Sequence, residues 1–159
     1  LGGRGAREGV SIDASAPALA LAQENWRLNG LASCPAQWLQ ADVFDALRSL
    51  HTQGERFDLI VLDPPKFAAN HRNVERAARA YKDINLSALR LLAPGGMLLT
   101  FSCSGAISVE LFQKIVAGAV IDARVDMHLM SRLSAGIDHP LAMTHPEGEY
   151  LKGLWLART

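Results

Sequence analysis

Three carboxylates and one thiol stand where a buried strand gives out. Asp13 follows Val10-Ser11-Ile12, and Asp42 follows the weaker stretch 37–41. Asp63 follows Phe57-Asp58-Leu59-Ile60-Val61-Leu62, and Cys103 follows the apolar run 97–101 by way of Ser102. A carboxylate at such a place can accept hydrogen bonds from the hydroxyl and amino groups of a nucleoside. A thiol, once ionised, is a nucleophile.

Asp63-Pro64-Pro65-Lys66 is the sharpest of these motifs. Neither proline can donate to a strand ladder, so the pair ends the strand and stiffens the loop after it. A rigid loop can hold the Asp63 carboxylate and nearby carbonyls toward a flat, donor-rich group such as a nucleobase. The plainer alternative is a turn that happens to contain an acid, and the clean strand before it favours the binding role. Cys103 lies between Ser102 and Ser104-Gly105, ahead of a helix, where backbone amides and a helix N-terminus favour thiolate. Position alone leaves nucleophile and small buried hydrophobe equally open. Cys34, in Leu31-Ala32-Ser33-Cys34-Pro35, reads as structural. Asp13 sits where nucleotide-binding α/β folds place an acid for ribose hydroxyls, and Asp42 could accept from an adenine amino group. Each alone could be a helix cap; at successive strand ends they point to a nucleoside lying across the sheet edge.

The elements that must carry these groups alternate. A strand at 10–13 leads to a helix over 16–29, with Ser15 as N-cap, Pro17 in the first turn and Asn29-Gly30 as the stop. A strand at 37–41 precedes a short helix over 43–50, and the strand 57–62 precedes a long helix over 74–92 that Pro94-Gly95-Gly96 closes. A strand over 97–101, a helix over 109–121 and strands near 126–130 and 151–157 complete the chain. Continuous apolar strands alternating with helices predict a parallel sheet covered on both faces, with ligands beyond the carboxyl ends of its strands. All four candidate groups fall on that edge.

Composition sets the bounds. The 159 residues are 49% hydrophobic and 20% charged, which suits one globular domain and argues against disorder. No apolar run approaches the ~20 residues needed to cross a bilayer, and Leu1-Gly2-Gly3-Arg4-Gly5 lacks the core of a secretory signal. Two cysteines make neither a disulfide framework nor a zinc cluster, and read as reduced thiols in a cytoplasmic protein. His139-Pro140 and His145-Pro146-Glu147-Gly148 sit in a connection without metal-ligand spacing, so no metal is expected. The formal net charge is zero, which gives no basic footprint for nucleic acid. Arg72, Arg76, Arg79 and Lys82 recur at helical spacing; a solvated face explains them before a phosphate-contacting ridge does.

Taken together, Leu62-Asp63-Pro64-Pro65-Lys66-Phe67, Ala80-Tyr81-Lys82-Asp83-Ile84-Asn85 and Leu99-Thr100-Phe101-Ser102-Cys103-Ser104-Gly105 closely resemble the bacterial 23S ribosomal RNA cytosine-5 methyltransferases with an N-terminal PUA domain. Asp138-His139-Pro140, Pro146-Glu147-Gly148 and Tyr150-Leu151-Lys152-Gly153 are similar too, so the match runs through nearly the whole chain in one order. The resemblance implies a Rossmann-like class I methyltransferase domain over residues 1–159, with a mostly parallel sheet and an antiparallel last strand. It implies S-adenosylmethionine as cofactor and 23S ribosomal RNA as partner. Asp13 and Ser15 would serve the cofactor ribose, and Asp42 with Val43 its adenine. Asp63 and Pro64 would border the cofactor, Asp63 with Pro65 and Lys66 would meet the cytosine, and Cys103 would attack carbon 6. Some RNA cytosine-5 methyltransferases place a second cysteine after the Asp-Pro-Pro motif to help release product; Lys66 stands there here.

The family's glycine-rich loop and first strand should lie just upstream of Leu1, and residues 1–7 read as the tail of the helix that follows them. The chain is therefore expected to be an N-terminally truncated catalytic domain without its first strand or PUA domain, binding cofactor weakly and RNA more weakly. An exposed sheet edge at the missing strand could support a homodimer. Two rival functions stay open: an amino-group methyltransferase, which needs no thiol, and a nucleotide- or RNA-binding module without chemistry.

Overall fold

A computed structural model describes residues 5–67, 71–145 and 148–159. The chain divides into two compact units, residues 1–50 and 51–159.

In the first unit, strand β1 (Gly9–Asp13) pairs in parallel with β2 (Ala36–Gln40), Asp13 lying opposite Gln40. Helix α1 (Ala16–Leu28) joins them, and α2 (Val43–Thr52) follows β2. The Ser15 hydroxyl accepts from the Ala18 amide at 3.3 Å, the N-cap expected from sequence. After α1 the backbone turns through Gly30 at φ +71°, a conformation that side-chain-bearing residues resist. Trp26 and Trp38 meet edge to face at 6.0 Å, and the Trp26 indole N–H donates to the Cys34 carbonyl. Cys34 thus belongs to the packing of this unit. Residues 5–7 are not helical: Gly5 has φ +128° and the chain there turns and bends, so the expected helix tail does not form over them. Leu1 to Arg4 lie outside the described residues.

The second unit carries a four-stranded sheet in the order β3-β4-β6-β5. These are β3 (Phe57–Leu62), β4 (Leu92–Ser102), β5 (Met127–Leu133) and β6 (Lys152–Arg158). β3 and β4 are parallel, and β6 runs against both of its neighbours, so the last strand is the antiparallel one. Helix α3 (Val74–Leu91) lies between β3 and β4 in the chain, and α4 (Val109–Ala123) between β4 and β5. α3 buries Ala77, Tyr81, Ile84, Asn85 and Ala88, and α4 buries Phe112, Ile115, Val116 and Ala119. Both sets recur every three or four residues, the spacing of one helical face. The two helices pack together, with Tyr81 against Phe112 at 5.6 Å and Lys82 paired with Asp122 at 2.8 Å.

One boundary differs from expectation. Pro94-Gly95-Gly96 does not stand between helix and strand; β4 already starts at Leu92, opposite Phe57, and the three residues form a bulge before pairing resumes at Leu59 and Met97. Gly95 takes φ +77°, and a Cβ on Gly96 would come within 2.9 Å of the Ala93 carbonyl oxygen, so the bulge is built on glycine.

Ser108 caps α4, its hydroxyl accepting from the Leu111 amide at 3.1 Å. Ser108→Ala should lower unfolding free energy by about 0.5–2 kcal/mol, measured by chemical denaturation, without altering the folded-state circular dichroism.

Candidate active site

β3 and β4 are hydrogen-bonded parallel neighbours, and their register sets Leu62 opposite Thr100. Both chains leave the sheet at the same edge. The loop 63–67 from one strand and Ser102-Cys103-Ser104 from the other therefore emerge side by side, as the rule for parallel sheets requires. Within the first loop, Asp63, Pro65 and Lys66 are exposed while Pro64 is buried. Pro64 fixes the loop from beneath, and the polar groups around it face water. Phe67 ends the loop by packing edge to face on Tyr81, 4.8 Å between ring centroids.

Cys103 is half-buried between two fully buried serines. The Ser104 amide donates back to the Ser102 hydroxyl at 3.3 Å, and the Ser104 hydroxyl shares a 2.9 Å hydrogen bond with the Tyr81 phenol. The Ile107 amide donates to the Ser104 carbonyl at 3.0 Å. The helix N-terminus expected beside the thiol lies farther along: α4 begins only at Val109, and its first-turn amide at Leu111 is taken by Ser108. A turn of the chain separates thiol and helix, so the surroundings of Cys103 come from other groups.

One of them is Lys152. It opens β6 directly opposite Ser102 and is only 6% exposed. Its Nζ donates to the Ser104 carbonyl at 2.7 Å and to the Ile107 carbonyl at 2.6 Å. Burial holds the ammonium below the ordinary lysine range; a thiolate at Cys103 would draw it back up, and the Lys66 cation presses it further down.

In the first unit, Asp13 and Asp42 leave the carboxyl ends of adjacent parallel strands, where the Ala41 amide donates to the Asp13 carbonyl at 3.2 Å. Both side chains are exposed. Asp13 Oδ1 accepts from the Ser15 amide at 2.7 Å, and Asp42 Oδ1 from the Phe44 and Asp45 amides at 2.9 and 3.3 Å. Each acid is thus oriented by the start of the helix that follows it. A carboxylate held by one oxygen presents the other in a fixed direction, and two such acids beside the half-exposed Val43 suit the hydroxyls, amino group and apolar rim of a nucleoside. An open cavity of about 440 Å3 in this unit lies elsewhere, lined by Trp26, Arg27, Cys34 and Trp38 among others, and includes none of the candidate acids.

Sequence reasoning named Asp63, Pro64, Pro65, Lys66 and Cys103 in the second unit, and the fold brings them to one edge. It left Tyr81, Ser104 and Lys152 without a role. The available signal was a lysine opening a strand whose next five residues are apolar, and a tyrosine on the apolar face of an amphipathic helix. Among the basic residues of α3, Lys82 pairs with Asp122, and Arg79 faces Glu75 at 3.9 Å with both side chains largely exposed. His139 and His145 are exposed, and no cluster of three or more metal-ligating side chains occurs among the described residues. Pro146 and Glu147 lie outside them. No helix among the described residues is long and apolar enough to cross a membrane.

The family profile described as S-adenosylmethionine-dependent methyltransferase matches residues 2–146. The chain is 52% identical over 150 residues to Ribosomal RNA large subunit methyltransferase I of Aeromonas salmonicida strain A449, covering 94% of this chain and 38% of that protein. It is 50% identical over 149 residues to the protein of the same name from Klebsiella pneumoniae strain 342, covering 94% and 37%. The chain thus spans under two-fifths of these relatives. In fold it is similar to SMU.776 complexed with SAH, with TM-score 0.80, 21% identity and coverage of 96% of this chain and 40% of that one. It is also similar to NSun6 from Pyrococcus horikoshii with SFG, with TM-score 0.60, 22% identity and coverage of 94% and 40%.

Proposed function

The chain belongs to the S-adenosylmethionine-dependent methyltransferases, with their Rossmann-like α/β fold, and from that premise we propose that it methylates carbon 5 of a cytosine in large-subunit ribosomal RNA through a Cys103 adduct. The observation that carries this reading is the register of β3 and β4, which sets a proline-stiffened acid loop beside a half-buried thiol. The ribosomal target draws on the relatives' name, Ribosomal RNA large subunit methyltransferase I.

Carbon 5 of cytosine is a poor nucleophile, and the two loops meet that difficulty in complementary ways. Cys103, as thiolate, adds to carbon 6; the sulfur–carbon bond forms as the 5,6 double bond opens, and carbon 5 becomes electron-rich like an enamine. Asp63, fixed by Pro64 and Pro65, faces the ring-nitrogen edge, where a shared proton stabilises the adduct. S-adenosylmethionine, when bound, would supply the methyl group that carbon 5 takes, its sulfonium–methyl bond breaking and S-adenosylhomocysteine leaving. Loss of the carbon-5 proton to a base then restores the double bond and expels the Cys103 thiolate. Asp13 and Ser15 would hold the cofactor's ribose and Asp42 with Val43 its adenine. Lys66, exposed after the prolines, would meet the substrate.

The identity of the product tests this. Large-subunit ribosomal RNA treated with the longest natural form of the chain and S-adenosylmethionine should yield 5-methylcytidine on nucleoside mass spectrometry. A product methylated on an exocyclic amino group would replace this reading with amino-group transfer. Binding of cofactor and RNA without any methylated nucleoside would favour the binding module.

A further inference from the structure

A lysine side chain with only 6% exposure needs a reason to be charged where it is. Removing an ammonium from water is costly, and neutral carbonyls offset that cost only in part. A chain needing merely to tie down the turn after β4 could use a neutral donor. Lys152 does tie it down, holding the Ser104 and Ile107 carbonyls at 2.7 and 2.6 Å. The residue that turn begins with is Cys103, and Lys152 sits opposite Ser102, one residue before the thiol. Cys103 and Lys66 are the titratable side chains whose charges act on Lys152. The cation of Lys66 repels it, and a thiolate attracts it.

We propose that Lys152 is a positioning residue for the nucleophile: it clamps the backbone that follows Cys103 and sets a buried positive charge on the turn that the thiol opens. The inference rests on Cys103 being the attacking group, but its test does not depend on methyl transfer. Attack needs the thiol as its anion, and a negative sulfur on that turn would be attracted to a cation that the fold has already fixed there.

Alkylation of the protein by iodoacetamide at pH 7, followed peptide by peptide, reads this directly. The thiolate attacks the reagent carbon and displaces iodide, so the rate follows the thiolate population. Lys152→Gln keeps an N–H2 group for the two carbonyls and removes the charge. It should slow alkylation of Cys103 by about five- to tenfold, leave Cys34 at its parent rate, and lower kcat by a similar factor with little change in KM for RNA. Lys152→Arg should restore most of the rate. An unchanged Cys103 rate in a Lys152→Gln protein with parent-like melting would overturn the proposal and leave Lys152 a mere clamp. If Lys152→Gln does not fold, the parent protein decides: Cys103 should react several-fold faster folded than unfolded in urea, and an equal or slower folded rate overturns the proposal. A Cys103→Ala protein that still transferred methyl would remove the nucleophile reading, while the dependence of thiol reactivity on Lys152 would stand or fall by alkylation alone.

Discussion

Cys103→Ala is expected to lower methyl transfer by at least about a thousandfold, because in the proposed mechanism the nucleophile that forms the covalent intermediate has no substitute. The substitution removes one sulfur atom from a half-buried position between two buried serines, so melting temperature should change by only a few degrees. Loss of activity in a folded protein is therefore the decisive combination. RNA carrying 5-fluorocytosine adds a sharper reading, since fluorine at carbon 5 blocks the final loss of a proton. The parent protein should form an adduct with this RNA that survives denaturation, and Cys103→Ala should form none. Retained activity in the variant would instead support an amino-group methyltransferase.

The second large effect concerns stability. Tyr81 has no exposed surface, packs on Phe67 and Phe112, and bonds the Ser104 hydroxyl at 2.9 Å. Tyr81→Ala should cost about 3–5 kcal/mol, through lost apolar contact and the cavity left behind, and lower the melting temperature by roughly 10 °C or more. Tyr81→Phe keeps both ring contacts and loses only the hydroxyl bond, so about 1 kcal/mol is expected. The interesting comparison is in activity. Tyr81→Phe should lower kcat more than its small stability loss would suggest, because the missing bond is the one that reaches the loop beside Cys103. Urea denaturation and steady-state kinetics on the same preparations separate the two effects.

Strand and helix positions were legible because the chain uses periodicity plainly. Phe57-Asp58-Leu59-Ile60-Val61-Leu62 is a strand with the bounds its composition indicates, and α3 shows its buried face at three- and four-residue spacing. The start of β4 was not legible. A proline and two glycines usually end an element, and only the partner strand reveals that here they are accommodated as a bulge between Leu92 and Met97. The same limit applies at the site. Asp63 and Cys103 could be found because each follows its own strand, a local property. Lys152 lies 49 residues after Cys103 in the chain, and Tyr81 lies 22 before it. Their meeting depends on strand order and on the reversed direction of β6, which periodicity does not encode. Within Ala80-Tyr81-Lys82-Asp83-Ile84-Asn85, three residues are wholly buried, so that stretch serves packing as much as chemistry.

Ser104 is bonded on its hydroxyl by Tyr81 and on its carbonyl by Lys152, so the segment carrying the thiol is fastened to a helix and to an antiparallel strand at once. Opening it requires breaking contacts of the core rather than of the surface. Amide protons at Ser104 and Ile107 should therefore exchange with deuterium on the slow timescale of the central strands, unlike those of the exposed loop 63–66. The conformational entropy of holding the sulfur in place is then spent when the protein folds, before the proposed RNA substrate would arrive. Binding need only order the nucleotide.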